Sequence, residues 1–365
     1  MDKEKLYYLL ALLMVPKIGS KIAKQLIAYC GSPENVFKQK KGQLSKIPGI
    51  GATLSQNLSS FSAFARAEEE IKFIEKHNIQ PLYFLDEAYP QRLRDLHDAP
   101  ILLFYKGKAM LNYNRIIGIV GTRKATDYGR AFTEKLVEEL AQYKVQVVSG
   151  LAYGIDYLAH KAALKNGLET IGVMGTGLDT IYPSAHRNLA AQMVENGGLL
   201  TEYISGSKPD REHFPARNRI VAGMTDALVL VETTRTGGAL ITAEIAHSYN
   251  REVFAVAGRQ TDEFSAGCNY FIKINKAYLL ENAADIAFQL GWDLTGHKPD
   301  KSESYKGLSN TEMEIIEVLK EKERVDFDTI LHRSRLNASK LSMILLELEF
   351  KGLVQALPAK FFRLK

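Results

Sequence analysis

The residues of this chain best equipped for chemistry are arginines set beside glycines, and they equip it to hold an anion. Arg123 follows Gly121 and Thr122 in the run RIIGIVGTRKATDYGR (Arg115–Arg130). A guanidinium offers a planar fork that matches a pair of phosphate oxygens. Ile116–Val120 is a short apolar, β-branched run that suits a buried parallel strand. Thr126 or Asp127 can then cap a helix whose apolar side runs through Ala131, Phe132, Leu136, Val137 and Leu140. A strand, a glycine turn and a helix start in this order present free backbone N–H groups and a positive dipole end. Taken alone, the segment fits an ordinary strand-to-helix loop with a solvent-facing arginine equally well.

A second cluster, Arg211-Glu212-His213-Phe214-Pro215-Ala216-Arg217-Asn218-Arg219, runs into the helical stretch IVAGM. Three arginines, an asparagine and an aromatic combine neutralisation of a charged backbone with a face on which a base can stack, worth roughly 1–3 kcal/mol per base. The alternative is an exposed charged loop in which Phe214 and Pro215 plug the core. Placement on the same sheet edge as Gly121 favours binding.

The elements that must position these residues alternate strand and helix from Arg115 to about Leu290, the pattern of a doubly wound, mostly parallel sheet of Rossmann-like type. The strands are Ile116–Val120, Val145–Ser149, Thr170–Met174, Leu199–Thr201, Ala227–Val231 and Val253–Val256. Gly121, Gly150, Gly175 with Gly177, Gly237 with Gly238, and Gly258 stand at or just past their C-terminal ends. In a parallel sheet those ends share one edge, where ligands bind. PLYFL (Pro81–Leu85) and ILLFY (Ile101–Tyr105) can extend the sheet ahead of its first glycine strand.

Several kinds of chemistry are excluded. No strand is followed by G-x-G-x-x-G, since Gly175-Thr176-Gly177 lacks the third glycine, and no G-x-x-x-x-G-K-[ST] loop is present. No nicotinamide, flavin or other cofactor is expected, nor ATP hydrolysis. His160, His186, His213 and His247 are scattered, with neither metal-ligand spacing nor a G-x-S-x-G turn. Cys30 and Cys268 are too few for a disulfide framework or a zinc site and indicate a reducing compartment.

The net charge of +5 is unevenly spread, because residues 1–65 hold nine lysines against three acids. That segment reads as a small basic helical domain with a polyanion partner. Val15-Pro16-Lys17-Ile18-Gly19 and Ile47-Pro48-Gly49-Ile50-Gly51 are paired hairpins between helices, similar to the helix-hairpin-helix module of SAM-like domains. Lys17, Lys21 and Lys46 beside them are candidate backbone contacts. Leu6–Val15 is apolar, but its pattern continues into Ile18, Ile22, Leu26 and Ile27 at helical spacing and so reads as a soluble helix. No other run approaches membrane-spanning length, so no membrane partner is expected and the location is cytoplasmic. Residues 66–292 form the main domain. Residues 293–307 have linker composition, and residues 308–365 read as three helices and a hairpin, a winged helix. Asp328 is the expected cap of the second of these helices. Glu347 and Glu349 on the third helix weigh against groove reading, so protein docking stands beside DNA binding as a role for this module.

Gly121-Thr122-Arg123, Ser149-Gly150-Leu151-Ala152-Tyr153-Gly154-Ile155-Asp156, Gly175-Thr176-Gly177 with Tyr182-Pro183, Phe214-Pro215-Ala216-Arg217-Asn218-Arg219-Ile220 and Thr236-Gly237-Gly238 with Thr242-Ala243 together resemble the DprA/Smf DNA-processing proteins. Their order and spacing fit along nearly the whole chain. The resemblance implies an extended Rossmann-like fold without nuclease activity. It also implies that the protein binds and protects single-stranded DNA, forms a homodimer and helps to load the RecA recombinase during natural transformation. Carried over to this sequence, Gly121, Thr122 and Arg123 hold a phosphate. Arg211, Arg217 and Arg219 line the same positive pocket, Asn218 bonds a phosphate or base, and Phe214 stacks. Thr122 stands where the family commonly has serine, and Ala257 where relatives often have proline. A rival likeness, to nucleotide phosphoribohydrolases, would use Arg219 and Glu244 around Gly237-Gly238. Leu240 and Ile241 depart from that family's loop.

Overall fold

Apolar runs that alternate with amphipathic stretches organise the chain into two compact units, residues 1–292 and 293–365, in a computed structural model. The residues described are 1–292, 308–320, 324–334, 336–351, 353–357 and 360–364. The expected linker, 293–307, lies outside them.

The first unit opens with six helices: α1 (Lys3–Met14), α2 (Ser20–Cys30), α3 (Pro33–Lys38), α4 (Lys41–Leu44), α5 (Ala52–Ser59) and α6 (Phe64–Lys76). The two hairpins share one geometry. Lys17 and Gly49, at matching positions, both have positive φ (68° and 75°). Ile18 N–H donates to Val15 at 3.1 Å, and Ile50 N–H donates to Ile47 at 3.0 Å. Each hairpin also clasps the other. Asn57 on α5 donates to the Pro16 carbonyl at 2.9 Å, and Gln25 on α2 donates to the Pro48 carbonyl. Leu9, Leu10, Leu26, Ile71 and Ile74 bury against Tyr83, Leu102 and Phe104 of the sheet, so one core joins the helices to its edge.

The remaining elements of this unit are β1 (Gln80–Tyr83), α7 (Gln91–Arg94), β2 (Leu102–Gly107), β3 (Ile116–Val120), α8 (Asp127–Leu140), β4 (Gln146–Ser149), α9 (Ile155–Lys165), β5 (Thr170–Val173), α10 (Arg187–Glu195) and β6 (Gly197–Thr201). They continue with α11 (His213–Met224), β7 (Ala227–Leu230), α12 (Gly238–Ser248), β8 (Glu252–Ala255), α13 (Ala266–Lys273), β9 (Tyr278–Leu279) and α14 (Ala283–Gln289). The sheet order is β1-β2-β6-β5-β4-β3-β7-β8-β9. Strands β3 to β9 pair in parallel, whereas β1 and β2 run antiparallel and join beside β6. The early strands thus extend the sheet as expected, on the far side of β6.

Alternation along each strand divides two cores. Ile117, Ile119, Val147 and Val229 face α8, α9 and α14. Ile116, Val120, Leu228 and Leu230 face α11, α12 and α13. The chain leaves β3 for β4 on one side and returns to β7 on the other. That reversal makes the C-terminal ends of β3, β4 and β7 the switch point of the sheet.

One element differs from the sequence reading. The arginine cluster is not a loop leading to a helix at Ile220, because α11 already begins at His213. Pro215 is compatible with a helix's first turn, where its missing N–H costs nothing.

The second unit contains α15 (Asn310–Lys320), β10 (Val325–Asp326), α16 (Phe327–Ser334), α17 (Ala338–Phe350), β11 (Val354–Leu357) and β12 (Phe361–Leu364), with strand order β10-β12-β11. Asp326 caps α16 by accepting from Thr329 N–H at 2.9 Å, so the cap falls two residues before the expected Asp328. Asn337 caps α17 through Lys340 N–H at 2.8 Å. No helix among the described residues is long and apolar enough to cross a membrane.

Candidate nucleic-acid interface

At the switch point the strand ends enclose a crevice of about 530 Å³. Gly121, Thr122 and Arg123 after β3, Gly150 after β4, and Gly237 and Gly238 after β7 line it, together with Arg211 just before α11 and Phe214, Arg217 and Asn218 within its first turns. Nine of the ten crevice residues expected from sequence are therefore brought together.

Two glycines allow the Gly121-Thr122-Arg123 turn to form. A Cβ on Gly121 would lie 2.5 Å from Ile155 of α9. Gly154 has φ +75°, and a Cβ there would lie 2.2 Å from the Thr122 carbonyl. Ile155 N–H donates to that carbonyl at 3.2 Å, and Thr122 N–H donates to Glu232 at 2.6 Å. The turn is thus fastened to α9 on one side and to the end of β7 on the other. Arg123 is exposed, and among the described residues it has no ion pair. Its guanidinium lies 5.8 Å from the centroid of the Phe214 ring.

Three arginines face one aspartate in this crevice, a formal excess of two positive charges. Arg217 is only 4% exposed and forms part of the floor. It donates to the Val173 carbonyl and passes under Gly150, where a Cβ would collide with the guanidinium at 2.1 Å. Asp156 is its charge partner and also accepts from the N–H groups of Gly150 and Ala152, at 3.2 and 3.4 Å. Burial pushes the Asp156 carboxyl above its usual range, and Arg217 opposes that shift. Burial lowers Arg217, Asp156 supports its charge, and nearby Arg123 presses against it.

Helix α12 starts at the crevice with Gly237 as N-cap and no side-chain cap, so its first N–H groups are available to a ligand. Helix α8 contrasts with it. There Glu232 Oε2 accepts from Thr126 N–H at 3.0 Å, and Glu232 Oε1 bonds the Thr126 hydroxyl.

Phe214 is half-buried against Gly175, and the exposed ring of Tyr182 lies 5.4 Å from it. Tyr182 extends the aromatic face and was absent from the residues expected to bind. Its signal in the sequence was the Tyr182-Pro183 pair at the end of the third glycine loop. Thr233, Thr234 and Ile241 also line the crevice.

Arg219 is not brought to this site. Its Nη2 pairs with Glu202 at 2.5 Å, and both side chains line a different cleft beside α2. Two residues along a helix correspond to about 200° of rotation, so Arg217 and Arg219 face opposite ways. Glu244 pairs with Lys276 at 2.6 Å and does not line the crevice either. The constellation required by the phosphoribohydrolase likeness is therefore not assembled. Lys17, Lys21 and Lys46 are exposed, and Lys21 lines the cleft that holds Arg219. His160 is a packing residue that bonds Thr170 Oγ1 at 2.7 Å, and burial lowers its pKa to about 3. Among the described residues no group of three His, Cys, Asp or Glu could hold a metal ion.

Comparison with known proteins places this geometry in context. A family model described as DNA recombination-mediator protein A matches residues 80–291. A SAM-like helix-hairpin-helix tandem matches residues 9–61, and a DprA winged helix domain matches residues 299–360. Protein Smf of Escherichia coli is 33% identical over 337 residues, 90% of either chain. DNA processing protein DprA of Streptococcus pneumoniae is 42% identical over 202 residues, 55% of this chain and 71% of that one. Its X-ray structure superposes with a TM-score of 0.68 at 32% identity, covering 79% of this chain and 98% of that one. A structure of DNA processing protein A from Helicobacter pylori, described as revealing its single-stranded DNA binding mode, gives a TM-score of 0.53 at 29% identity. It covers 58% of this chain and 95% of that one.

Proposed function

The chain belongs to the DNA recombination-mediator protein A family, the DprA/Smf proteins, and on that premise we propose that its crevice is a single-stranded DNA site. The protein would protect incoming strands and help to load the RecA recombinase during natural transformation, acting in the cytoplasm as a homodimer.

The observation that carries this reading is the meeting of an unpaired arginine, an uncapped helix start and an aromatic face in one crevice. The Thr122 hydroxyl, Arg123 and the N–H groups of Gly238 and Ala239 at the start of α12 hold a phosphate, with Gly121 and Gly237 allowing its close approach. Arg211 and Arg217 supply positive potential, Asn218 bonds a phosphate or base edge, and Phe214 with Tyr182 stacks a base. Phosphate contacts fix the position of the strand, and stacking tolerates any sequence.

A homodimer is supported by β9, an edge strand whose Tyr278 and Leu279 are 46% and 48% exposed. Phe288 of the neighbouring α14 is 87% exposed. An edge of this kind is a template for another strand, and light scattering tests it.

The decisive test of the DNA site is binding of fluorescent oligo-dT to wild type and Arg123→Ala over a salt series, with duplex as competitor. The reading expects preference for the single strand. It also expects the variant to lose affinity with a salt slope shallower by about one. Equal affinity for duplex would refute it. The RecA arm is tested by the rate of RecA filament growth on oligo-dT, expected to rise when this protein is added.

A further inference from the structure

The sheet edge that holds the crevice differs on its two sides. Strand order places β4 and β5 on one side of β3, and β7 and β8 on the other. On the β8 side, at the start of α8, lies a pocket of about 930 Å³ whose lining includes Asp127, Glu232, Asp262 and Glu263 against Arg259. Four acids against one arginine leave a formal excess of three negative charges there. A polyanion that leaves the crevice in this direction is repelled. On the β5 side, the loops 150–155 and 174–187 carry one acid, Asp179, against Arg187.

Three observations make the β5 side a path for a strand. Ala152 and Tyr182 both line the crevice, and a Cβ on Gly154 would lie 2.8 Å from Arg123 Cα. Tyr153, between Ala152 and Gly154, therefore stands on the rim beside the Arg123 turn. Its ring is braced from within while the residue stays 48% exposed. The brace is His186, buried and 5.0 Å from Tyr153 between ring centroids, which donates to the Leu151 carbonyl at 3.0 Å. Third, the next residue, Arg187, is exposed and has no ion pair among the described residues. A braced, open aromatic ring with a free guanidinium nearby suits a base and its phosphate. The exposed aromatic on the other side, Tyr128, lies among the acids with its hydroxyl tied to the Ala257 carbonyl at 3.0 Å.

We propose that a bound strand leaves the crevice across the 150–154 loop. The base next to the one on Phe214 and Tyr182 stacks on Tyr153, its phosphate lies beside Arg187, and the acidic pocket closes the opposite way. The track deepens the single-stranded DNA reading and rests on it.

Fluorescent oligo-dT of about 16 nucleotides tests it. Tyr153→Ala is expected to bind about five- to one-hundred-fold more weakly with the salt slope unchanged, and Tyr153→Phe to bind as wild type does. In Arg187→Ala the salt slope falls by about one. Tyr128→Ala is expected to bind as wild type does. Ultraviolet cross-linking of the wild-type complex should mark Tyr153 as well as Phe214 or Tyr182, and leave Tyr128 unmarked. Wild-type affinity in Tyr153→Ala, or a cross-link at Tyr128 without one at Tyr153, overturns the track. Lack of preference for the single strand over duplex in the wild type would instead overturn the parent reading.

Discussion

Replacing Arg217 with methionine tests whether the floor of the crevice is an electrostatic keystone. Arg217 is 4% exposed and Asp156 is 7% exposed. The substitution keeps an unbranched apolar stem but leaves the Asp156 carboxylate in the interior without its counter-charge. The two side chains form no direct ion pair, and a charge–charge interaction at roughly 5–8 Å with an effective dielectric constant of about 20 is worth about 2–3 kcal/mol. Against a total stability of about 5–15 kcal/mol that is a large share, about two powers of ten in the folding equilibrium. Urea unfolding monitored at neutral pH should therefore show a much lower midpoint.

The pH dependence has a definite sign. Asp156 in the fold has its pKa raised above the unfolded value by burial, and removing Arg217 strengthens that effect. The folded variant then binds a proton more tightly than the unfolded chain. Its deficit relative to wild type is full above the raised pKa and shrinks as pH falls through it. Adding Asp156→Asn, which retains an acceptor for the Gly150 and Ala152 N–H groups, should restore most of the stability. A deficit below about 1 kcal/mol, or one that neither pH nor the second substitution moves, would refute the reasoning.

Other substitutions separate stability from binding. Gly154→Ala places a methyl 2.2 Å from the Thr122 carbonyl at φ +75°. It should cost at least about 1–3 kcal/mol in urea unfolding and displace the Arg123 turn, so a variant as stable as wild type would contradict the packing described. Phe214→Ala should weaken oligo-dT binding by about 1–3 kcal/mol with the salt slope unchanged, whereas a changed slope would indicate lost phosphate contacts instead of lost stacking. Glu232→Ala removes the carboxylate that holds Thr126, the N-cap of α8, and should cost about 1–2 kcal/mol. Sulfate should recover part of that loss by occupying the vacated helix start, and a sulfate response identical to wild type would count against this account.

Much of the crevice was legible because close backbone approach leaves a trace in the sequence. Gly121, Gly150 and Gly154 each stand where a Cβ would strike Ile155, Arg217 or the Thr122 turn. Glycines at strand ends point to such crowding without any structure. The direction of the arginines was harder to read. Reading the stretch before Ile220 as a loop allowed Arg217 and Arg219 to share a pocket, whereas a helix that begins at His213 divides them. Pro215 concealed that start, since proline reads as a breaker although the first helical turn tolerates it. The burial of Arg217 was invisible for a different reason, because the Val173 carbonyl and Gly150 that enclose it, and the Asp156 charge that supports it, come from segments at least 44 residues earlier and gather around it only at the sheet edge. The reciprocal clasp of Gln25 and Asn57 between the two hairpins is likewise a matter of tertiary placement.

The contrast between the starts of α8 and α12 has a further consequence. Both helices spring from the same sheet edge, so both are sockets for negative charge. At α8 the Thr126 side chain caps the helix and the Glu232 carboxylate sits on Thr126, whereas no side chain caps α12. A polyanion arriving here meets a built-in competitor at one socket and finds the other vacant. In the proposed single-stranded DNA site this contrast would fix the seat of the phosphate relative to the aromatic pair and give the strand a single lateral position without any base having to be read.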